Sequence, residues 1–408
     1  MHWRWRTDFT KLWVGQTISE VGSRISREGL PLTALLVLHA TASQMGYLSA
    51  IGSASVFVFG LAAGVVVDRL RKRPVMIATD LGRVILLALV PLAALTQRLS
   101  FVSLTGIAAI VGALTVLFDV AYQSYLPLLV ARQELLESNR RLSMSSSAAE
   151  MLGPALTGVL VQAITAPLAI LLDAASFLAS ALSVWAIQKP EPAAERKSDH
   201  HLLTEALDGM RFIWNQPALR SLLLRSATAF LAMGVISPLY LLSAIRIVHM
   251  TTSELGLTIA LGGAGSLAGA WAAAHLSLRF GLGPTFFTTA ILMGCAQLLI
   301  PLSAHFARFG FAFLCAQQFG GDLCWTIYLV NETTIRQALS PPAVMGRVNS
   351  AMQLASRGML PFGAIAGGWL AQRIGIPFTL WIGASGVLLS CIWLVTLRTT
   401  RHIEPRQL

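Results

Sequence analysis

Twelve apolar segments, each about 20 to 30 residues long, follow one another along the chain and are separated by short polar turns. A membrane-spanning helix needs about 20 mainly apolar residues, so each segment predicts one such helix. They lie near residues 10–38, 43–69, 74–97, 101–130, 139–165, 167–188, 219–246, 253–280, 284–305, 307–337, 345–374 and 376–398. Charged residues make up only 12% of the sequence and the mean hydropathy is +0.67, which excludes a water-soluble globular protein, where the charged share is about 25%. The sequence therefore predicts an all-α integral membrane protein.

The basic residues predict the orientation of these helices. The net charge is +11, but the cations sit in short clusters between apolar runs, which indicates membrane topology and not a surface that binds nucleic acid. With the amino terminus in the cytoplasm, the outer ends of the segments carry only Arg98, Arg246, Arg308 and Arg373, and the other loop cations, Arg225 among them, lie on the cytoplasmic side. We therefore expect a multi-pass protein of the cell (inner) membrane, in contact with the lipid bilayer and with both termini in the cytoplasm.

The turn after the second segment, in the stretch GLAAGVVVDRLRKRP from Gly60 to Pro74, combines an acid with several cations. Asp68 could cap the positive end of a neighbouring helix or pair with an arginine, and either contact would hold two helices together. We interpret Gly64, Asp68, Arg69 and Arg73 as such a conformational latch. An ordinary positive-inside loop would explain the cations but not Asp68.

The long polar break at mid-chain predicts the domain organisation. It begins KPEPAAERKSDHH and continues as an amphipathic helix, LLTEALDGMRFIW, so we expect an amino-terminal six-helix bundle over 1–188, a cytoplasmic linker over 189–218 and a carboxy-terminal six-helix bundle over 219–408. An internal repeat supports two halves: Gly46 matches Gly256 at an offset of 210 (256 − 46), and the same offset relates Pro74 to Pro284 and Asn139 to Asn349. Parallel repeats of this kind suit alternating-access transport.

These features together resemble the major facilitator superfamily of transporters, whose signature after the second helix is a glycine, three residues, then Asp-Arg and further cations. The segments FTKLWVGQTISEVGSRISREGLPL, SNRRLSMSSSAAEMLGPALTGVL and LLDAASFLASAL are similar to the macrolide efflux and enterobactin exporter branch. The resemblance implies twelve helices in two six-helix repeats. Arg71 stands where the signature usually has glycine, and Leu278 stands where the second repeat would place an aspartate.

The fifth segment carries Gly153, Pro154 and Gly158, which are similar to the Gly-Pro-x-x-Gly-Gly motif of drug and proton antiporters, with Thr157 in place of one glycine. The proline removes a backbone donor and the glycine thins the helix, so a bend with a close helix contact is expected. An ordinary kinked and tightly packed membrane helix is the alternative.

Polar residues at membrane depth fall into stripes at helical spacing on the first, fourth, fifth, tenth and eleventh segments, which line the central cavity in the superfamily. The candidate substrate-contacting residues are Gln16, Glu20, Arg24, Arg27, Asp119, Tyr122, Gln123, Asp322, Trp325, Gln353 and Arg357. A proton-coupled carrier needs a carboxylate that changes its protonation state as the site changes exposure, and the candidates are Glu150, Asp119 and Asp322. Alternatively, Glu20 and Glu28 clamp Arg24 along its own helix.

Several other polar residues favour structural roles. Asp80 and Arg83 are expected to partner the loop latch, and Asp173 is expected to serve helix packing. The apolar residues Phe57, Phe59, Tyr122, Trp325 and Met352 either contact a ligand or pack against lipid and protein.

The sequence thus predicts a secondary active transporter, in our interpretation a monomeric proton-coupled exporter of a small, moderately hydrophobic molecule that is drug-like or siderophore-like. Uptake of an anionic solute through Arg24, Arg27 and Arg357, or a membrane scaffold without transport, stays open. The motifs P-loop, GxSxG and HExxH are absent from the sequence, and the cysteines and histidines lack metal-ligand spacing, so we expect neither an enzyme nor a cofactor nor a metal site.

Overall fold

The computed structural model describes residues 2–191 and 202–399. The described residues form fifteen α-helices and no β-strand. The helices are α1 (His2–Leu36), α2 (Ala42–Asp68), α3 (Lys72–Leu95), α4 (Phe101–Leu129), α5 (Leu135–Ile164), α6 (Ala166–Trp185), α7 (Leu202–Asn215), α8 (Pro217–Arg246), α9 (Thr252–Phe280), α10 (Leu282–Gln297), α11 (Leu299–His305), α12 (Gly310–Leu339), α13 (Pro342–Arg357), α14 (Met359–Ile374) and α15 (Ile376–Leu389), which continues as a 3₁₀ helix over Ser390–Thr399.

Twelve predicted segments correspond to α1 to α6, α8, α9, the pair α10 and α11, α12, the pair α13 and α14, and α15, while α7 is the amphipathic helix of the linker. By length and composition, eight stretches of the described residues could cross a membrane: Lys72–Leu95, Phe101–Leu129, Arg132–Ile164, Ala166–Trp185, Pro217–Arg246, Thr252–Phe280, Leu282–His305 and Ile376–Leu394. The more polar α1, α12 and α13, which carry predicted stripes, are not among them.

Two predicted segments are each broken into two helices, and a proline explains both breaks. Pro301 lies four residues after Gln297, the last residue of α10, and Pro361 lies four residues after Arg357, the last residue of α13. A proline inside a helix removes one hydrogen bond and its ring clashes with the carbonyl group four residues earlier. Each helix therefore ends at the residue whose carbonyl group the proline displaces.

The internal repeat is confirmed by matching turns. Before α2, the Thr41 amide donates to Gln44 Oε1 at 2.8 Å, and before α9 the Thr251 amide donates to Glu254 Oε2 at 2.8 Å, which are equivalent capping arrangements 210 residues apart (251 − 41). The turn between α5 and α6 has a φ of 84° at Thr165, and the equivalent turn before α15 has a φ of 86° at Gly375, again 210 residues later (375 − 165). The two halves thus share backbone geometry where their side chains differ.

The chain divides into two compact units, which are Met1–Ala40 with Ile51–Asp199, and Thr41–Ala50 with His200–Leu408. In the first unit, α1 packs on α6 through Gly15, Gly22 and Gly29, spaced seven residues apart. A Cβ atom at Gly22 would lie 2.1 Å from Ser176 Oγ, so the glycine lets the two helices approach closely. We refer to this contact below as the glycine seam.

In the second unit, α8 packs on α14 in the same manner, because a Cβ atom at Gly363 would lie 2.0 Å from the carbonyl oxygen of Leu231. The linker helix α7 packs on α13, where Gly209 faces the Arg347 carbonyl group, and it buries Ile213. The domain boundaries at 188 and 219 stay predictions.

Candidate functional site

The first unit contains an ionic cluster that joins α1 to α5. Arg24 Nη1 lies 3.2 Å from Glu150 Oε1, and Arg24 Nη2 lies 3.9 Å from Glu20 Oε2. The Arg24 side chain is only 12% exposed, whereas that of Glu150 is 64% exposed. Arg24 therefore has one partner on its own helix, as the spacing predicts, and a second on a helix that the sequence does not connect to it. A proton added to Glu150 would remove the charge that holds this second contact.

The glycine–proline motif of α5 makes room for this cluster. A Cβ atom at Gly153 would lie 2.5 Å from Arg24 Cβ and 2.7 Å from Arg24 Cγ, so only glycine allows the base of the arginine side chain to pack here. Gly153, Pro154 and Gly158 are all buried. The glycine–proline motif of α5 and the polar stripe of α1 are thus in contact at Gly153 and Arg24, a contact that could not be predicted from the sequence.

The other predicted residues of the first unit occupy different surroundings. Gln16 is buried and donates to Ser180 Oγ at 3.2 Å, so it joins α1 to α6. Tyr122 is half-buried and stacks on Phe118 with 6.1 Å between the ring centroids. The remaining three are exposed side chains, namely Arg27, Asp119 and Gln123.

In the second unit, Asp322 lies half-buried on α12 where that helix meets α9. A Cβ atom at Gly262 would lie 2.1 Å from Asp322 Oδ2 and 3.4 Å from Gln318 Nε2, so this glycine accommodates both polar side chains. Trp325, one turn further, meets Phe230 edge to face at 5.9 Å and stacks near Tyr328 at 6.0 Å.

The α13 candidates are divided between the surface and the core. Gln353 and Arg357 are exposed, and Met352 is 2% exposed within the hydrophobic core, which favours packing over ligand contact for that methionine. Phe59 is 40% exposed, and the side chain of Phe57 lies outside the described residues.

At the predicted latch, the surroundings of Gly64 and the side chain of Asp68 lie outside what the structure describes. The structure places the other end of the turn in detail: Arg73 donates to the carbonyl oxygens of Val184 and Trp185, at the end of α6, at 3.2 Å and 2.6 Å. Glu191 accepts from the Arg73 amide at 3.0 Å and also from the Lys72 amide, and so caps the start of α3. This role of Glu191, which lies in the linker, could not be predicted from the sequence. Arg69 is exposed.

The helix α3 contains a buried ion pair between two residues that were expected to partner the loop latch. Instead of reaching the loop, Arg83 pairs with Asp80, and the two residues are 2% and 0% exposed. The Arg83 guanidinium lies between two aromatic rings, 4.5 Å from the centroid of Phe118 and 3.9 Å from that of Phe177. The spacing of three residues between an acid and a base within an apolar segment was the available signal.

The second unit has an equivalent arrangement with a different arginine. Arg225 on α8 is 1% exposed and its guanidinium lies 3.8 Å from the ring centroid of Tyr328, so counting it as a cytoplasmic loop cation is wrong. Tyr328 is the repeat partner of Phe118 at the same offset of 210 (328 − 118). On α12, Glu332 pairs with Arg336 at 3.2 Å. Each unit therefore holds one buried arginine against the same aromatic position.

Among the described residues, no group of three or more histidine, cysteine, aspartate or glutamate side chains could hold a metal ion, and the four cysteines are free thiols.

Comparison with solved structures shows the fold. The chain is similar to a bacterial homologue of the iron transporter ferroportin in its inward-facing state, with a TM-score of 0.77 at 17% identity, covering 95% of this chain and 98% of that chain. It therefore has the fold of the major facilitator transporters.

The family follows from sequence comparison. A family model described as transmembrane secretion effector matches residues 5–406, so the chain belongs to this family of the major facilitator superfamily, which comprises membrane transporters and not enzymes. Macrolide efflux protein A of Streptococcus pyogenes is 24% identical over 403 residues, covering 96% of this chain and 95% of the relative. The multidrug efflux pump Tap of Mycolicibacterium fortuitum is 26% identical over 375 residues, covering 86% and 87%. The resemblance seen in the sequence is confirmed.

Proposed function

We propose that the protein is a proton-coupled exporter of small, moderately hydrophobic molecules, either drug-like or siderophore-like, which works by alternating access. The observation that carries this proposal is the ionic cluster in which Arg24 packs against Gly153 of the export-type motif and pairs with Glu150. Relatives described as a macrolide efflux protein and a multidrug efflux pump, matched over most of their length, support export of a drug-like compound.

The chemistry of the cluster suits coupling to protons. Of the two residues in the contact between α1 and α5, Glu150 has the more exposed side chain, so it is the group that can bind a proton from outside the bundle. Protonation would release Arg24 from α5, and ionisation would draw the two helices together again. Asp119 in the first unit and Asp322 in the second are the other candidate carriers.

The proposal is tested by the accumulation of radiolabelled erythromycin, a macrolide, in cells with and without the protein. We expect lower accumulation in cells that make the protein, and we expect a protonophore to abolish the difference. Glu150→Gln should remove active efflux while purified protein still binds erythromycin. Glu137→Gln is the matched control, because Glu137 is an exposed acid that pairs with Arg140 and Arg141.

The same experiment separates the alternatives. Higher accumulation of an anionic solute in cells with the protein would favour uptake, for which Arg24, Arg27 and Arg357 are the candidate cations, Arg27 and Arg357 being exposed. If cells with and without the protein accumulate erythromycin and each anionic solute of a panel equally, a scaffold without transport is favoured. We further propose that the protein lies in the cell (inner) membrane as a monomer with both termini in the cytoplasm, which reporter fusions at each terminus and the mass of the purified protein would test.

A further inference from the structure

Arg83, in the interior of the first unit, faces more carboxyl groups than one cation can neutralise. Arg83 interacts electrostatically with three acids, Asp80 on its own helix α3, Asp119 on α4 and Asp173 on α6. Asp80 forms the direct ion pair with Arg83, and both are almost completely buried. One guanidinium neutralises one carboxylate, so Arg83 cannot balance all three acids.

The other two acids differ in how deeply the protein buries them. Asp119 is exposed and also interacts with Glu20 and Arg27, both on α1. Asp173 is 1% exposed, and the charged groups facing it are Arg83 and Asp80. A buried carboxylate without a cation of its own is costly in an apolar interior, whereas its protonated form is not.

The hydrogen bonds of Asp173 indicate where such a proton would sit. Ser176 Oγ lies 2.9 Å from Asp173 Oδ1 and 2.8 Å from the Asp173 carbonyl oxygen, so its single proton is shared between these two acceptors. The Ser26 hydroxyl on α1 also interacts with the carboxyl group, but Asp173 Oδ2 is buried and no described residue forms a hydrogen bond of good geometry with it. A buried carboxylate oxygen without a donor is strongly disfavoured, and protonation at that oxygen removes the penalty. Arg83 Nε likewise lacks a partner among the described residues, so the arginine has a donor to offer.

Asp173 is also held in place by packing. It lies in the glycine seam, where a Cβ atom at Gly22 would fall 2.6 Å from Asp173 Oδ1. The Arg83 guanidinium packs against the rings of Phe118 and Phe177, whose centroids lie 4.5 Å and 3.9 Å away. Packing therefore restrains both the acid and the arginine.

We propose that Asp173 is a proton-binding residue of this transporter, whose ionisation is controlled by the position of the Arg83 guanidinium, which itself stays protonated. When Arg83 bonds to Asp80 alone, Asp173 keeps its proton. When Arg83 offers Nε to Asp173, the carboxyl group ionises and releases its proton, and the more exposed Asp119, which also faces Arg83, is the nearby acid that can accept it. This inference rests on the proton coupling proposed above and adds a buried site to it.

The test uses the full-length protein in liposomes, with radiolabelled erythromycin as the probe. Efflux is measured with and without an imposed pH gradient, and erythromycin exchange is measured without one. In Asp173→Asn we expect exchange at the wild-type rate and equal efflux with and without the gradient, because the amide cannot exchange a proton. In Glu137→Gln, the control, the gradient should accelerate efflux as in wild type.

A milder variant keeps the test decisive if Asp173→Asn does not reach the membrane. Ser176→Ala removes the donor to Asp173 Oδ1 and so disfavours the ionised carboxylate. The midpoint of the pH profile of gradient-driven efflux should then move to higher pH by about one unit, the size expected for one hydrogen bond to a charged group.

The possible results separate this inference from the proposed function. Gradient-driven efflux that survives in Asp173→Asn, or an unchanged pH profile in Ser176→Ala, would overturn the Asp173 assignment alone. A wild-type protein whose erythromycin efflux ignores the gradient would overturn both the proton coupling and this inference.

Discussion

The substitution Gly153→Ala tests the contact between α1 and the export-type motif. The added methyl group would lie 2.5 Å from Arg24 Cβ and 2.7 Å from Arg24 Cγ, where carbon atoms normally stay about 3.5–4.0 Å apart. Arg24 Cβ is fixed to its backbone, so the overlap of about 1 Å forces α1 and α5 apart. Overpacking of this kind costs about 1–3 kcal/mol. The separation also stretches the Arg24–Glu150 contact of 3.2 Å.

The matched control is Gly106→Ala on α4, where the new methyl group would meet no atom within 4 Å. Alanine is favoured over glycine in a helix by about 1 kcal/mol, so this variant should be slightly more stable than wild type. Both variants gain the same helix propensity, so we expect their unfolding free energies in detergent to differ by the overpacking cost alone, about 1–3 kcal/mol. Erythromycin efflux should fall only in Gly153→Ala. Equal melting temperatures for the two variants would refute the close approach of α1 and α5.

Three further changes test other parts of the molecule. Thr165→Gly should raise the melting temperature. Thr165 has a φ of 84° and a ψ of 155°, and its side chain forms no capping hydrogen bond; this backbone conformation costs a residue with a side chain about 1–3 kcal/mol. A lower melting temperature would show that the turn is not strained. Asp68→Asn should leave membrane insertion unchanged but slow transport, since a contact of about 1–2 kcal/mol shifts a conformational population roughly tenfold; normal turnover of purified protein would remove the latch. Arg24→Gln should lower thermal stability, because Arg24 lies between Glu20 and Glu150, whereas Arg357→Gln, at an exposed residue, should not; equal losses of erythromycin affinity in both variants with unchanged stability would favour a ligand-binding role for Arg24.

Most helices could be predicted from sequence because long apolar segments show where a chain can cross a membrane, whereas the more polar α1, α12 and α13 do not meet that criterion alone. The repeat could be predicted from matches such as Gly46 with Gly256, and the turns at Thr165 and Gly375 have the same geometry although their residues differ. The partner of an ionisable residue could be predicted only where both residues lie on one helix. The spacing of Glu20 and Arg24 gave that pair, but the contact of Arg24 with Glu150 depends on how α1 packs on α5.

The buried arginines Arg83 and Arg225 also have partners on other helices that could not be predicted from the sequence. The spacing of Asp80 and Arg83 marks a pair on one helix face, but nothing in α3 tells that Phe118 and Phe177 enclose it. Arg225 lies near the predicted end of its segment, where a loop position is the simpler interpretation of a lone cation. Its burial follows from packing against Tyr328 on a distant part of the chain.

The central claim is that export of a hydrophobic compound is exchanged for protons, and reciprocal flux tests it most directly. Purified protein in liposomes that enclose a pH-sensitive dye receives a sudden external addition of erythromycin, without any imposed pH gradient. The account predicts that entry of erythromycin drives protons out of the liposomes and that Glu150→Gln abolishes this pH change. Rapid erythromycin flux through the wild-type protein with no change in internal pH would contradict it.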